Sequence, residues 1–142
     1  MFSVMHLHPM LVHFPIALVI FGFLAELIFL FLKREVRISK MGYYLLIVGT
    51  LTALLAWLTG NFFTSPMSGA AGRMKESHEL FATITLILLL VTSILRTAIL
   101  MMKIKYPILK TISFILYALA AIAVSITGYL GGTLVYSYMV GI

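Results

Sequence analysis

The chain has 142 residues, 63% of them hydrophobic and only 10% charged. Soluble domains are about 45–50% apolar and roughly 25% charged, so these few ionic side chains cannot cover a soluble globule of this size, and the chain reads as membrane-embedded. The net charge of +6 is not a nucleic-acid signal, because most of the basic residues lie in two loops, and the absence of Cys excludes disulfides and thiolate metal sites.

The N-terminal stretch "MHLHPMLVHFPIAL", residues 5–18, puts His6, His8 and His13 beside Pro9 and Pro15 at the mouth of the first apolar run. That run predicts a helix over about 9–33. It does not read as a cleavable signal peptide, because it has no basic n-region, is too long, and has no small-x-small site after it. Three more runs predict helices over about 42–63, 76–103 and 108–136. Each meets the roughly 20 residues that a spanning helix requires, and helices satisfy their backbone hydrogen bonds internally in hydrocarbon, as isolated strands cannot. The linkers are short, so neighbouring helices are antiparallel. The expectation is an all-α integral membrane four-helix up-down bundle, a single domain over 1–142.

Lys and Arg set the orientation. Lys33, Arg34, Arg37 and Lys40 follow the first run, and Lys103, Lys105 and Lys110 follow the third. The opposite side carries only Arg73 and Lys75. Under the positive-inside rule both termini face the non-cytoplasmic side of a bacterial cytoplasmic (inner) membrane. All four His residues then lie in one outer layer. Trp57 and the Tyr residues near helix ends are expected to anchor the interfaces.

Depth and facing follow from spacing. His8 and His78 are 70 positions apart, as are Leu32 and Met102 at the cytoplasmic ends of their runs. At a period of 3.6, His78, Ala82, Thr85, Leu89, Thr92 and Arg96 share one face of the third helix, and His8, Gly22 and Glu26 share one face of the first. Glu26 and Arg96 are eighteen residues, five full turns, from these histidines, which matches them as a structural ion pair. Glu26 is also open to a proton-carrying role, since an ionisable residue in lipid is a functional-site hypothesis by default. Pro15 can kink the first helix, so His8 and His13 both stand as partners for His78. Gly49, Ala53, Ala56 and Gly60 on the second helix, and Ala121, Ser125, Gly128, Gly131 and Gly132 on the fourth, allow close approach of another helix or of a flat ligand.

Two imidazoles on facing helices of a four-helix bundle are the donor set of a bis-His haem b. The reading is a haem ligated by His78 and by His8 or His13. Gly128, Gly131 and Gly132 give the macrocycle room, and Arg73 or Lys75 meets its propionates. One-electron transfer near the outer face follows, to a redox-protein partner or within a larger respiratory complex. The alternatives are copper or zinc held by His6, His8, His13, His78 and Glu79, with Met1, Met5 and Met10 suited to Cu(I), or a structural membrane anchor with no cofactor. A homo-oligomer is compatible with each. There is no Asp, hence no Ser-His-Asp set, and no phosphate-binding Gly loop. The chain therefore reads as an electron carrier or subunit rather than a stand-alone enzyme.

The segments "HPMLVHFPIAL", "ESHELFA" and "GYLGGTLVYSYMVGI" together resemble a widespread bacterial family of four-span membrane proteins catalogued as a domain of unknown function. Its members open with HP-x-LVHFP, carry a His at the start of helix 3, and end in G-x-LGG-x-LVY. The resemblance covers nearly the whole chain and implies a four-helix fold and a redox or haem-associated role. The matching positions are His8, Pro9, His13, Pro15, His78, Gly128, Gly131, Gly132 and Tyr136. Two segments depart from the pattern: "TGNFFTS" has no acidic residue after its TG, and "SYM" stands where relatives carry basic or His residues after LVY.

Overall fold

The computed structural model describes residues 7–32 and 36–138. His6, Met1, Met5, Lys33 and Arg34 lie outside the described residues. Five α-helices run in chain order: α1 Leu7–Leu11, α2 His13–Phe31, α3 Val36–Phe63, α4 Gly69–Met101 and α5 Pro107–Tyr138. There is no strand among the described residues.

Helices α1 and α2 form one span, His8–Phe31, with an interruption at Val12. Pro15 explains its position. Its missing N–H would have bonded the Leu11 carbonyl, and its ring crowds that oxygen. Val12 nevertheless keeps right-handed helical angles (φ −62°, ψ −23°), and its N–H donates to the His8 carbonyl at 3.1 Å. The helical phase therefore carries through, and His8, Gly22 and Glu26 stay on one face.

The remaining helices are longer than their apolar runs. Helix α3 starts at Val36 rather than 42, because Arg37 and Lys40 extend the helix while their charged ends reach water. Helix α4 starts at Gly69 rather than 76. Gly69 has φ +67°, a left-handed angle that glycine adopts without penalty. Hydropathy marks what sits in lipid, and a helix continues beyond it wherever its backbone bonds are made.

Four helices are long and apolar enough to cross a membrane, and no more than a third of any span's apolar window is buried inside the protein. Phe21, Ile94 and Ile122 are typical of the outward side, each more than half exposed. Such a surface belongs against lipid. The sequential pairs α2–α3 and α4–α5 are the tightest contacts, and α3–α4 and α2–α5 close the ring. Helices α2 and α4 are therefore diagonal to each other.

The middle of the bundle is dry. Val19, Leu46, Leu89, Ala120, Ala121 and Val124 form its core. Towards the basic end, the diagonal is bridged by charge. Arg96 Nη2 donates to Glu26 Oε2 at 2.6 Å, with the Glu26 side chain 4% and the Arg96 side chain 18% exposed. The five-turn spacing thus delivers the expected ion pair. Gly42 permits it: a Cβ there would lie 2.5 Å from Glu26 Oε1. Between core and ion pair, Thr50 donates to the Leu46 carbonyl, so the 2.8 Å bond between Ser93 and Thr50 has Ser93 as donor. Trp57, half-buried near the outer end of α3, also makes a contact between helices. Its Nε1 donates to Thr83 Oγ1 at 3.0 Å, tying α3 to α4.

Removing one partner of a buried pair strands the other charge, at a cost of about 3–5 kcal/mol, whereas replacing both with apolar groups is often near neutral. Arg96→Met should therefore lower thermal stability in detergent strongly, Glu26→Leu likewise, and the double variant should recover most of the loss. A double variant showing the sum of both losses would contradict this description of the pair.

Candidate functional site

At the other end of the bundle the same diagonal is bridged by imidazoles. His8 on α1 and His78 on α4 approach with ring centroids 6.1 Å apart and planes inclined at 77°. The 70-residue spacing thus brings together two histidines that start at matched depth. His13 is exposed; it lies at the edge of the same cavity but is not the residue that meets His78. The turn at Val12 leaves His8, not His13, in phase with Gly22 and Glu26.

Each ring rests on a glycine of the neighbouring helix. A Cβ on Gly60 of α3 would lie 2.9 Å from His8 Cε1, and one on Gly131 of α5 would lie 3.0 Å from His78 Cε1. Both are closer than side-chain atoms pack, so these glycines set the ring positions. Gly128 plays a different part, receiving the Ile16 side chain, whose Cδ1 would sit 2.9 Å from a Cβ there. Gly132 has nothing within 4 Å of its Cβ position, so its bareness opens space rather than seating a ring.

Hydrogen bonds fix the tautomers. His78 Nδ1 lies 3.0 Å from the Thr127 carbonyl; a carbonyl only accepts, so Nδ1 carries the proton and donates. His8 Nδ1 lies 3.2 Å from Thr59 Oγ1. Thr59 donates its own proton to the Ala56 carbonyl at 2.9 Å, so it accepts from His8, and Nδ1 is again the protonated nitrogen. In the neutral ring the lone pair is then on Nε2, and among the described residues no hydrogen bond reaches either Nε2. Anchoring one ring nitrogen on a carbonyl or hydroxyl is how proteins prepare the other as a ligand.

The two rings line a cavity of about 270 Å³. Its walls are mostly apolar: small residues such as Ala53 and Ala56 on α3, Ala82 on α4 and Gly128, Gly131 and Gly132 on α5 stand among larger ones such as Ile16, Trp57, Phe63 and Leu134. Lys75 and Glu79 stand at its edge, paired with each other at 3.4 Å, and Lys75 also donates to the Ser65 carbonyl at 3.0 Å. Arg73 departs from expectation. It is exposed and is not among the lining residues, because it sits five positions before His78 and so points away from the axis. Among the described residues no group of three or more His or Glu side chains converges as a metal-ion cage. Met10 is more than half exposed.

Residues 5–142 match the family model described as "Predicted membrane protein (DUF2231)". The chain belongs to this family. No curated protein and no solved structure matches it. The family description adds no chemistry, so the site speaks through its own residues. Thr59, Gly60 and Thr127 have roles that spacing alone did not reveal. Gly60 was visible as one of a ridge of small residues, but Thr59 and Thr127 act through a hydroxyl oxygen and a main-chain carbonyl, for which sequence carries no signature.

The hydrogen-bond assignment is open to direct observation. Nitrogen-15 solid-state NMR of imidazole-labelled, cofactor-free protein in bilayers should show His8 and His78 as neutral Nδ1–H tautomers. Signals for an Nε2–H tautomer at either residue would contradict the bonding described. Gly131→Val should shift the His78 signals, whereas Gly132→Ala should leave them in place.

Proposed function

We propose that this protein binds a haem b between His8 and His78 and acts in one-electron transfer at the end of the bundle away from the basic loops. The observation that carries the reading is the pair of imidazoles on diagonally opposed helices, each held through Nδ1, with centroids 6.1 Å apart. Two imidazoles bound through nitrogen to opposite sides of one metal, at about 2.0–2.1 Å per bond, have centroids a little over 6 Å apart. The absence of Cys makes covalent attachment through thioethers impossible, hence a b-type group.

The donor count favours haem over a bare ion. A porphyrin supplies four equatorial nitrogens and asks the protein for two axial ligands. A zinc ion asks for three or four from the protein itself, and two imidazoles supply only half of a closed site. Small side chains on α3 and α5 suit a flat ligand standing between the two histidines. When bound, the haem supplies one-electron exchange at its iron. The chain's part would be to hold the group through His8 and His78, keep each Nε2 deprotonated, and exclude bulk water with an apolar sleeve. In this reading Lys75, rather than Arg73, is the cation nearest the propionates.

The dry core below the cavity separates it from the basic end. Electrons therefore enter and leave on one side, which calls for a redox-protein partner or a place in a larger respiratory complex. Insertion in the bacterial cytoplasmic membrane, with both termini outside, belongs to the same reading. Contact with lipid is set by the four spans themselves.

The test is a spectrum of protein purified in detergent from haem-replete cells. A Soret band with sharp α and β bands after dithionite is expected. His8→Ala and His78→Ala should each remove the low-spin bands, and His13→Ala should retain them. Bands that survive His78→Ala but vanish in His13→Ala would overturn the assignment. Their complete absence from the wild-type protein would overturn the haem reading.

A further inference from the structure

The inner polar layer holds more than its ion pair. Four side-chain atoms there are buried and have no hydrogen-bond partner among the described residues: Glu26 Oε1, Arg96 Nη1, Ser113 Oγ and Tyr117 Oη. They come from three helices. Glu26 is 3%, Ser113 1% and Tyr117 0% exposed. Tyr117 joins the pair directly, with Arg96 Cζ 5.9 Å from its ring centroid, and Ser113 lies one turn before Tyr117 on α5. Two glycines leave space for the polar ends: a Cβ on Gly22 would overlap Tyr117 Oη, and one on Gly42 would crowd Glu26 Oε1.

We infer that this layer is a binding site for internal water, held by Arg96, Glu26, Tyr117 and Ser113. Buried polar groups in proteins are almost always satisfied, and those the chain leaves open are met by ordered water. The complement of groups selects the ligand. Arg96 Nη1 can only donate, Glu26 Oε1 can only accept, and the two hydroxyls can do either. Water, with two protons and two lone pairs, completes all of them. Charge selects the same ligand. The carboxylate and guanidinium already cancel, so a bound cation or anion would leave an unbalanced charge in the bilayer, whereas a neutral molecule does not. An apolar ligand would leave all four atoms open. The site is separate from the histidine cavity, since Val19, Leu89 and Ala121 lie between them, and it stands whether or not a haem occupies that cavity.

X-ray radiolysis tests this in the intact protein in lipid nanodiscs with ¹⁸O-water, because it splits bound water in place and labels only the side chains that touch it. Tyr117, though wholly buried, should take up ¹⁸O at a rate comparable with that of exposed Tyr136. Ser113→Val, which removes one partner and fills its space, should clearly reduce labelling of Tyr117 and leave Tyr136 unchanged. A wild-type Tyr117 that stays unlabelled would show a dry site and overturn the inference, a result that does not depend on the variant folding. Undiminished labelling in a folded Ser113→Val protein would also overturn it, because the water would then not be held by this cluster.

Discussion

Lipid offers no hydrogen bonds, so a polar side chain in a spanning helix must find its partner inside the protein. In a ring of four helices the place reached by every helix is the axis. Glu26 and Arg96 meet there from α2 and α4, and His8 and His78 meet there from α1 and α4. These are contacts between diagonally opposed helices, whose backbones are too far apart to pack closely. Side chains of ordinary length do the bridging, and small residues on α3 and α5 let them through. Facing of the helices is thereby set: once Arg96 turns to the axis, His78 five turns earlier must do so too.

The two levels have opposite characters. At the inner level the charges cancel, and Glu26, Ser113 and Tyr117 are almost wholly buried. At the outer level the groups are imidazoles bonded through Nδ1, and the space around them is lined mostly by apolar residues, alanine and glycine among them. About 27 Å of helix separates them, at 1.5 Å per residue over eighteen residues, and the dry core fills much of it. An ion pair of this kind contributes little net stability, because desolvation offsets attraction. Its clearer contribution is to register, since any slip of α2 against α4 would separate the charges. The outer level then inherits that register, and with it the spacing of the two rings.

Much of this was legible because a spanning helix has few degrees of freedom. The four spans followed from run length, and the inward stripe His78, Ala82, Thr85, Leu89, Thr92 and Arg96 followed from the 3.6-residue period; its Thr85, Leu89 and Thr92 are buried. Counting five turns was enough to pair Glu26 with Arg96. The choice between His8 and His13 was not legible, because it depended on how far Pro15 would disturb the helix, which is a matter of local backbone angles. Tyr117 was passed over because tyrosines in membrane proteins usually sit at the interface, whereas this one is at the centre of the core. Arg73 was assigned by proximity in sequence alone, and its angular position about α4 puts it on the outside. Helix ends were misjudged wherever a helix outran its apolar run, as α3 and α4 both do. The seating of His8 on Gly60 and of His78 on Gly131 needed coordinates, since it is a contact between helices with no sequence pattern of its own.

Electron paramagnetic resonance of the oxidised, haem-loaded protein is the most direct measurement of whether these two imidazoles share one iron. The near-perpendicular ring planes lead to a six-coordinate, low-spin ferric signal with large anisotropy. A high-spin ferric signal would mean that only one histidine reaches the metal, and would contradict the proposal that His8 and His78 clasp a single haem between them.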